Sequence, residues 1–420
     1  MSRACRRACS RACSRARVAR AGAARSLRTF VEKMVELDPA GRWTYDASTG
    51  LHQRGPERRL PSRDLANFGE RCDPARCLLD MRGAVISGPI AVADLLRRRW
   101  LRLLGGLARP IVRHRELRIA LMFTAVVCTA LLGTLLAPMW LLILGPLIWG
   151  VPHLLADLRY LVFRTGYHRR PLLWLVAGGP LLWTALGGAL IWGFVGAAAA
   201  ALLARARALR RLAAAAVLLA SGAMLATLGS AGDIIFAHAH NFIAVALWWL
   251  WRPRVTRLHW VPLALFVAAS VFLVSEPALR LAHATGGLDW FTGGMGPAYQ
   301  SWRISPGLAP ELGLRLVLLY CFAQSIHYAV WLQLLPDESR QRATPPTFRA
   351  SHEDLRADFG DLGLAIAGVL AVGLALWAVV DLMQASHGYF RMARFHGHLE
   401  LIAATLLLLE RPRQAPRRGL

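Results

Sequence analysis

Four short segments of this chain carry side chains able to hold a metal ion. In GVPHLLADLRYLVF at 150–163, His153 and Asp157 are four residues apart, so on a helix both point the same way. RFHGHLEL at 394–401 repeats the arrangement with His396 and Glu400. A carboxylate one turn from an imidazole can orient the ring by hydrogen bonding or ligate the same ion. FAHAHNF at 236–242 supplies His238 and His240, and AQSIHYAVW at 323–331 supplies His327 with Gln324 one turn before it. Alternate residues on a helix lie about 200° apart. Only one histidine of each His-x-His pair can therefore face a common centre. His240 and His396 are the first choices; His238 and His398 are the second. Imidazole with carboxylate is a ligand set for iron, zinc or copper, and histidine alone also ligates haem. The competing reading of each residue is structural: a hydrogen-bonded core histidine, or Asp157 paired with Arg159 or Arg164. The remaining histidines, His52, His114, His168, His259, His283, His352 and His387, fall in loops or at the edges of apolar stretches and read as solvated or interfacial.

The elements that must position these residues are membrane helices. Of the 420 residues 55% are hydrophobic and 18% charged, against about 25% charged in an ordinary soluble domain. The net charge of +25 is carried almost wholly by Arg, which clusters between long runs of Leu, Ala, Val and Trp. That distribution excludes a soluble enzyme, a coiled coil and a disulfide scaffold. It also argues against a nucleic-acid partner, because a basic membrane protein carries its charge in loops. The fold class expected is all-α, a polytopic transmembrane helical bundle. Segments long and apolar enough to span lie at 117–137, 139–160, 172–187, 188–204, 212–231, 234–251, 258–275, 312–335, 362–383 and 392–410. The run 172–204 is too long for one ordinary span and short for two, with Gly187 and Gly188 near its centre.

Charge arbitrates, since Arg-rich loops stay cytoplasmic. The clusters at 97–118, 164–170, 205–211, 252–257, 340–342 and 411–418 all fall on one side only if 172–204 crosses twice. About ten spans result, with both termini cytoplasmic, loop 276–311 external and the protein in the inner (plasma) membrane. An ionisable side chain inside a span costs about 2.5–3.5 kcal/mol on insertion scales and is a functional candidate by default.

Residues 1–89 form a separate, basic extension. Positions 4–17 repeat ACRR-ACSR-ACSR-AR, and no acidic residue precedes Glu32. Such a low-complexity, self-repelling tract is expected to be disordered. It has the Arg-rich look of a transit peptide but no apolar core of a secretory signal; a later start at Met34 or Met81 is the other reading. The segment 90–116 is amphipathic, with Arg97, Arg98, Arg99, Arg102 and Trp100, and reads as a helix lying on the membrane surface. The transmembrane domain is 117–411 and a basic tail follows at 412–420. The seven cysteines form no framework, so structural disulfides are not expected.

At Gly150, Pro152, His153 and Asp157 the chain resembles the bacterial membrane-bound β-carotene dioxygenases. Their first motif runs Gly-x-Pro-His with Asp four residues after the His; Leu154 stands where that family prefers Gly. His240 corresponds to its second histidine-bearing span, His327 to one member of a paired third motif, and Phe395-His396 to its final Pro-His. The resemblance covers these four short segments. It implies an all-helical membrane fold holding non-haem iron through histidines on several spans, and oxygen chemistry on an apolar, lipid-soluble small molecule drawn from the bilayer. The function expected is accordingly a histidine-ligated non-haem metal oxidoreductase. Two alternatives stand beside it. One is a haem-binding electron-transfer protein, since haem–copper oxidase-like proteins share a His-x-His such as His396 and His398 but also carry an adjacent His-His pair absent here. The other is a transporter or scaffold with structural histidines. Span boundaries leave the depth of the site open: His153, Asp157 and His327 lie deep from the external face, whereas His240 and His396 lie near it. One site needs broken or tilted helices; otherwise there are two layers.

Overall fold

The computed structural model describes residues 74–251, 256–289, 294–340 and 343–410, with side chains from residue 88 onward. The chain divides into a unit Met1–Ala93 and a unit Asp94–Leu420. The expected disorder before residue 74 and the basic tail at 412–420 lie outside the described residues. Helix α1 (Pro74–Leu103) starts inside the stretch assigned to the extension, so the helical chain begins earlier than residue 90. The single surface helix expected over 90–116 is instead interrupted. Gly105 takes a left-handed φ of 53° after α1, a 3-10 turn covers Gly105–Leu107, and α2 (Ala108–Arg113) stops at an extended His114. Glycine at such a position ends a helix without a Cβ penalty.

From there the described residues are helical without any strand. Five long apolar helices match five expected spans closely: α3 (Arg115–Leu136), α4 (Pro138–Phe163), α7 (Ala208–Thr227), α8 (Ser230–Trp251) and α12 (Pro310–Glu338). Two more, α13 (Phe348–Val380) and α14 (Leu382–Glu410), start well before the expected boundaries of 362 and 392. Seven helices are therefore long and apolar enough to cross a membrane, or eight if the pair α9 (Trp260–Leu273) and α10 (Glu276–Ala284), bent by 79°, is one broken span. The run 172–204 folds as two shorter apolar helices, α5 (Pro171–Ala185) and α6 (Ile191–Leu203). At 1.5 Å per residue they reach about 22 and 20 Å, short of a hydrocarbon core of about 30 Å. Gly187 (φ 103°) and Gly188 make the reversal between them, and a Cβ on Gly188 would sit 2.3 Å from the Trp183 ring. The short helix α11 (Pro297–Ile304) precedes α12.

Polar ties sort the helix ends into two groups. Arg118 holds Asp337 through both carboxylate oxygens at 2.8 Å, Glu116 lies 3.2 Å from His259, and Arg159 and Arg164 share Asp358. Arg170 binds Glu410 at 2.7 Å, and the Arg205 amide donates to the same carboxylate. The second group joins Thr285 to the Leu135 carbonyl, Arg391 to the Leu186 carbonyl and Arg394 to Asp233. Every tie links ends that an alternating up-and-down course of the ten apolar segments brings to the same side. His259 is fully buried, against Trp248, and is not the solvated edge residue its position in sequence implies.

The core gathers around α12 and α14. Helix α12 packs on α3, α4, α8 and α9, and α14 on α4, α5, α6, α8 and α13. Phe123, Trp248, Phe266 and Phe322 form an aromatic centre on one side of α12. Helix α13 buries none of its residues fully; Leu374 packs against Leu154, Tyr389 and Ala393, while Leu362, Val369, Val372, Val379 and Val380 are exposed, as lipid contact permits.

Candidate metal centre

His153, His240, His327 and His396, each from a different helix, meet in one closed ring. Going round, the imidazole centroids are 5.5 Å apart for His153–His327, 5.2 Å for His327–His240, 5.0 Å for His240–His396 and 5.0 Å for His396–His153. The diagonal His327–His396 is 5.6 Å. Within this ring, His153, His327 and His396 each present one nitrogen within 4.8 Å of the others. The two-layer arrangement is thus not what forms. His396 lies fourteen residues into α14, about 21 Å along its axis, because α14 starts at Leu382. The expected boundary at 392 places it near the surface, whereas the helix begins ten residues earlier.

Local structure aims these rings. The Nδ1 of His153 pairs with the Trp149 carbonyl at 3.1 Å, and that of His396 with the Ala393 carbonyl. With the proton on Nδ1 in each case, Nε2 is left as the acceptor. Gly150 allows the approach of α14 to α4, since a Cβ there would fall 2.4 Å from the Tyr389 ring. A π-helical turn, Leu158–Phe163, begins directly after Asp157, and another, Val330–Leu334, begins three residues after His327. Such turns insert an extra residue per turn and recur at functional sites.

Asp157 and Glu400 lie on the same faces as the histidines that precede them by one turn, and both are fully buried. Glu400 accepts a 2.7 Å hydrogen bond from Trp331 Nε1 and lies 3.4 Å from His327 Nε2. Neither oxygen of Asp157 has a hydrogen-bond partner, and the same holds for Glu400 Oε2, His153 Nε2 and both ring nitrogens of His327. The pairing of Asp157 with Arg159 or Arg164 does not occur, because both arginines turn to Asp358. Leaving one buried polar atom unsatisfied costs about 1–3 kcal/mol. A concentration of such atoms in one core is a donor set lacking its acceptor, and the site's chemistry fits a cation.

His238 and His398 stay outside the ring, as the helix geometry requires. His238 Nε2 meets the Ile304 carbonyl, and its ring lies 5.0 Å from Tyr320. His398 stacks on Phe236 at 4.3 Å and fits over Gly193, whose absent Cβ would come within 2.0 Å of the imidazole.

Tyr328, 4.6 Å from the His153 ring, and Tyr389 complete the walls, with Gln324 donating to the Tyr328 hydroxyl. Sequence reasoning missed both tyrosines. Tyr389 precedes His396 by seven residues and so shares its helix face, a spacing that could have found it. A cavity of about 530 Å³ is lined by His240, His327 and His396 together with Phe236, Tyr320, Arg303 and Arg394. No family model, curated protein or solved structure matches this chain.

Proposed function

We propose that this is a multi-pass protein of the inner (plasma) membrane, with ten crossings and both termini cytoplasmic. In this reading the four core histidines hold a non-haem transition metal, iron first, in an oxidoreductase that acts on a lipid-soluble molecule. The observation that carries the metal reading is the closed ring of four imidazoles from four helices, with buried nitrogens and carboxylate oxygens left unpartnered beside it. The all-histidine set also suits zinc and copper; the choice of iron rests on the resemblance at Gly150–Asp157 to membrane β-carotene dioxygenases. When bound, such an ion supplies activation of dioxygen or polarisation of a bound group.

The chain's own residues do the rest. His153, His240, His327 and His396 would hold the ion. Glu400, held by Trp331, would orient His327, while Asp157, buried one turn after His153, would balance charge or accept a proton. The cavity would bring an apolar segment to His240, His327 and His396 along walls of Phe236, Tyr320 and Tyr328. Haem is disfavoured by packing: the imidazoles crowd one another edge to face, and a porphyrin plane would have to pass between two of them.

Metal analysis with an optical spectrum on detergent-purified protein tests this reading. Near-stoichiometric iron without a Soret band is the expected result, lost in His153→Gln and His327→Gln variants. A Soret band would move the case to haem. No metal in the wild type, with both variants folded and unchanged, would overturn the metal reading and leave a transporter or scaffold.

A further inference from the structure

The cavity lining has a second chemical character besides the ring histidines. Arg303, Arg391 and Arg394 also line it, with Asp233 as the acidic residue among them. Arg394 Nη2 binds Asp233 Oδ2 at 3.0 Å. Arg303 lies with its guanidinium 4.2 Å over the Phe390 ring, held against the wall by a cation–π contact. Arg391 reaches the Leu186 carbonyl. Among the described residues no carboxylate pairs with Arg303 or Arg391. Other arginines behave differently: Arg280 and Arg315 form surface pairs with Glu276 and Glu311 one turn away.

These three arginines also run against the chain's own charge bias, since among the described residues the Arg clusters at 113–118, 159–170 and 205–211 sit at the opposite helix ends. Arg303 sits on the short polar helix α11, and Arg391 and Arg394 on the N-terminal half of α14; their planar donors match carboxylate and phosphate oxygens. From Arg391 to His396 is five residues, about 7.5 Å along α14. A head group held at Arg303 and Arg391 leaves the Phe236, Tyr320 and Tyr328 walls of the same cavity for its chain.

We propose that the cavity takes an anionic amphiphile, its carboxylate or phosphate held by Arg303, Arg391 and Arg394 and its hydrocarbon chain laid towards the histidine ring. The proposal names the substrate class of the site described above and rests on reading that cavity as the substrate cavity; it does not require the metal to be present.

Binding of labelled oleate, lysophosphatidate and oleyl alcohol to the full chain in phosphatidylcholine nanodiscs tests it. Both anions are expected to bind at least tenfold more tightly than the alcohol. Stronger binding of oleate assigns the head as a carboxylate, and stronger binding of lysophosphatidate assigns it as a lipid phosphate. The double variant Arg303→Gln/Arg391→Gln should bring the anions to the alcohol's affinity, while Arg303→Lys/Arg391→Lys keeps most of the preference. Equal binding of acid and alcohol would overturn the proposal. So would an unchanged preference in the monodisperse Gln variant, or tight binding of inorganic phosphate alone. Metal content measured on the same samples is expected to match wild type. Its absence from wild type would refute the metal reading while leaving the anion preference standing.

Discussion

Replacing Trp331 by Phe removes one N–H from the core while keeping an aromatic ring in place. In the wild type that N–H donates to Glu400 Oε1 at 2.7 Å, both side chains being fully buried, and the same oxygen lies 3.4 Å from His327 Nε2. Leaving a buried acceptor unmet costs about 1–3 kcal/mol. The few tens of Å³ lost with the indole add on the order of 1 kcal/mol at about 24 cal/mol per Å³. The variant should therefore lose about 2–4 kcal/mol of stability yet still be purified in mild detergent. Losing a partner that orients a ligand typically lowers metal affinity 10–100-fold, or about 1.4–2.7 kcal/mol. Chelator competition, read as metal retained per protein, measures this second quantity apart from the first. A cycle with Glu400→Leu separates the two causes. In that background Trp331→Phe should cost no more than the cavity contribution, because it also removes an N–H left without its acceptor, and should leave metal retention where Glu400→Leu alone puts it. Equal losses of metal in both backgrounds would refute the idea that Trp331 acts through Glu400.

Reporter fusions at Gly166 and Ala208 are expected on the cytoplasmic side and one at Pro297 on the external side; a cytoplasmic signal at Pro297 or an external one at Ala208 would sink the ten-crossing course. Arg118→Met leaves Asp337 buried without its bidentate partner and should lower stability by about 3–5 kcal/mol. Adding Asp337→Leu should recover most of that in thermal unfolding of the detergent-solubilised protein. Gly150→Ala places a methyl 2.4 Å from the Tyr389 ring, for a cost of about 1–3 kcal/mol. The double variant Gly150→Ala/Tyr389→Leu should unfold at a higher temperature than Gly150→Ala alone, and no such rescue would mean α4 and α14 do not meet at this point.

Much of this protein is legible in its sequence, for reasons specific to membranes. Apolar runs of about twenty residues and the clustering of Arg between them are local properties, and all ten apolar segments read from them lie in helices. The helical period of 3.6 likewise separates His240 and His396 from His238 and His398, and pairs His153 with Asp157 and His396 with Glu400. Depth was not legible. The stretch 382–391 holds Gln384, Ser386, His387 and Arg391, so composition does not mark it as part of a span, yet α14 begins at Leu382. That misplaces His396 by about 15 Å (ten residues at 1.5 Å each) and splits one ring of histidines into two layers. Partner choice was not legible either: Asp358, two hundred residues away in sequence, takes Arg159 and Arg164 and leaves Asp157 unpaired at the core. Which helices lie side by side, which carboxylates stay unpartnered and where α4 and α14 touch at Gly150 and Tyr389 depend on contacts far apart along the chain. Local periodicity and composition hold no information about them, so only the tertiary structure decides them.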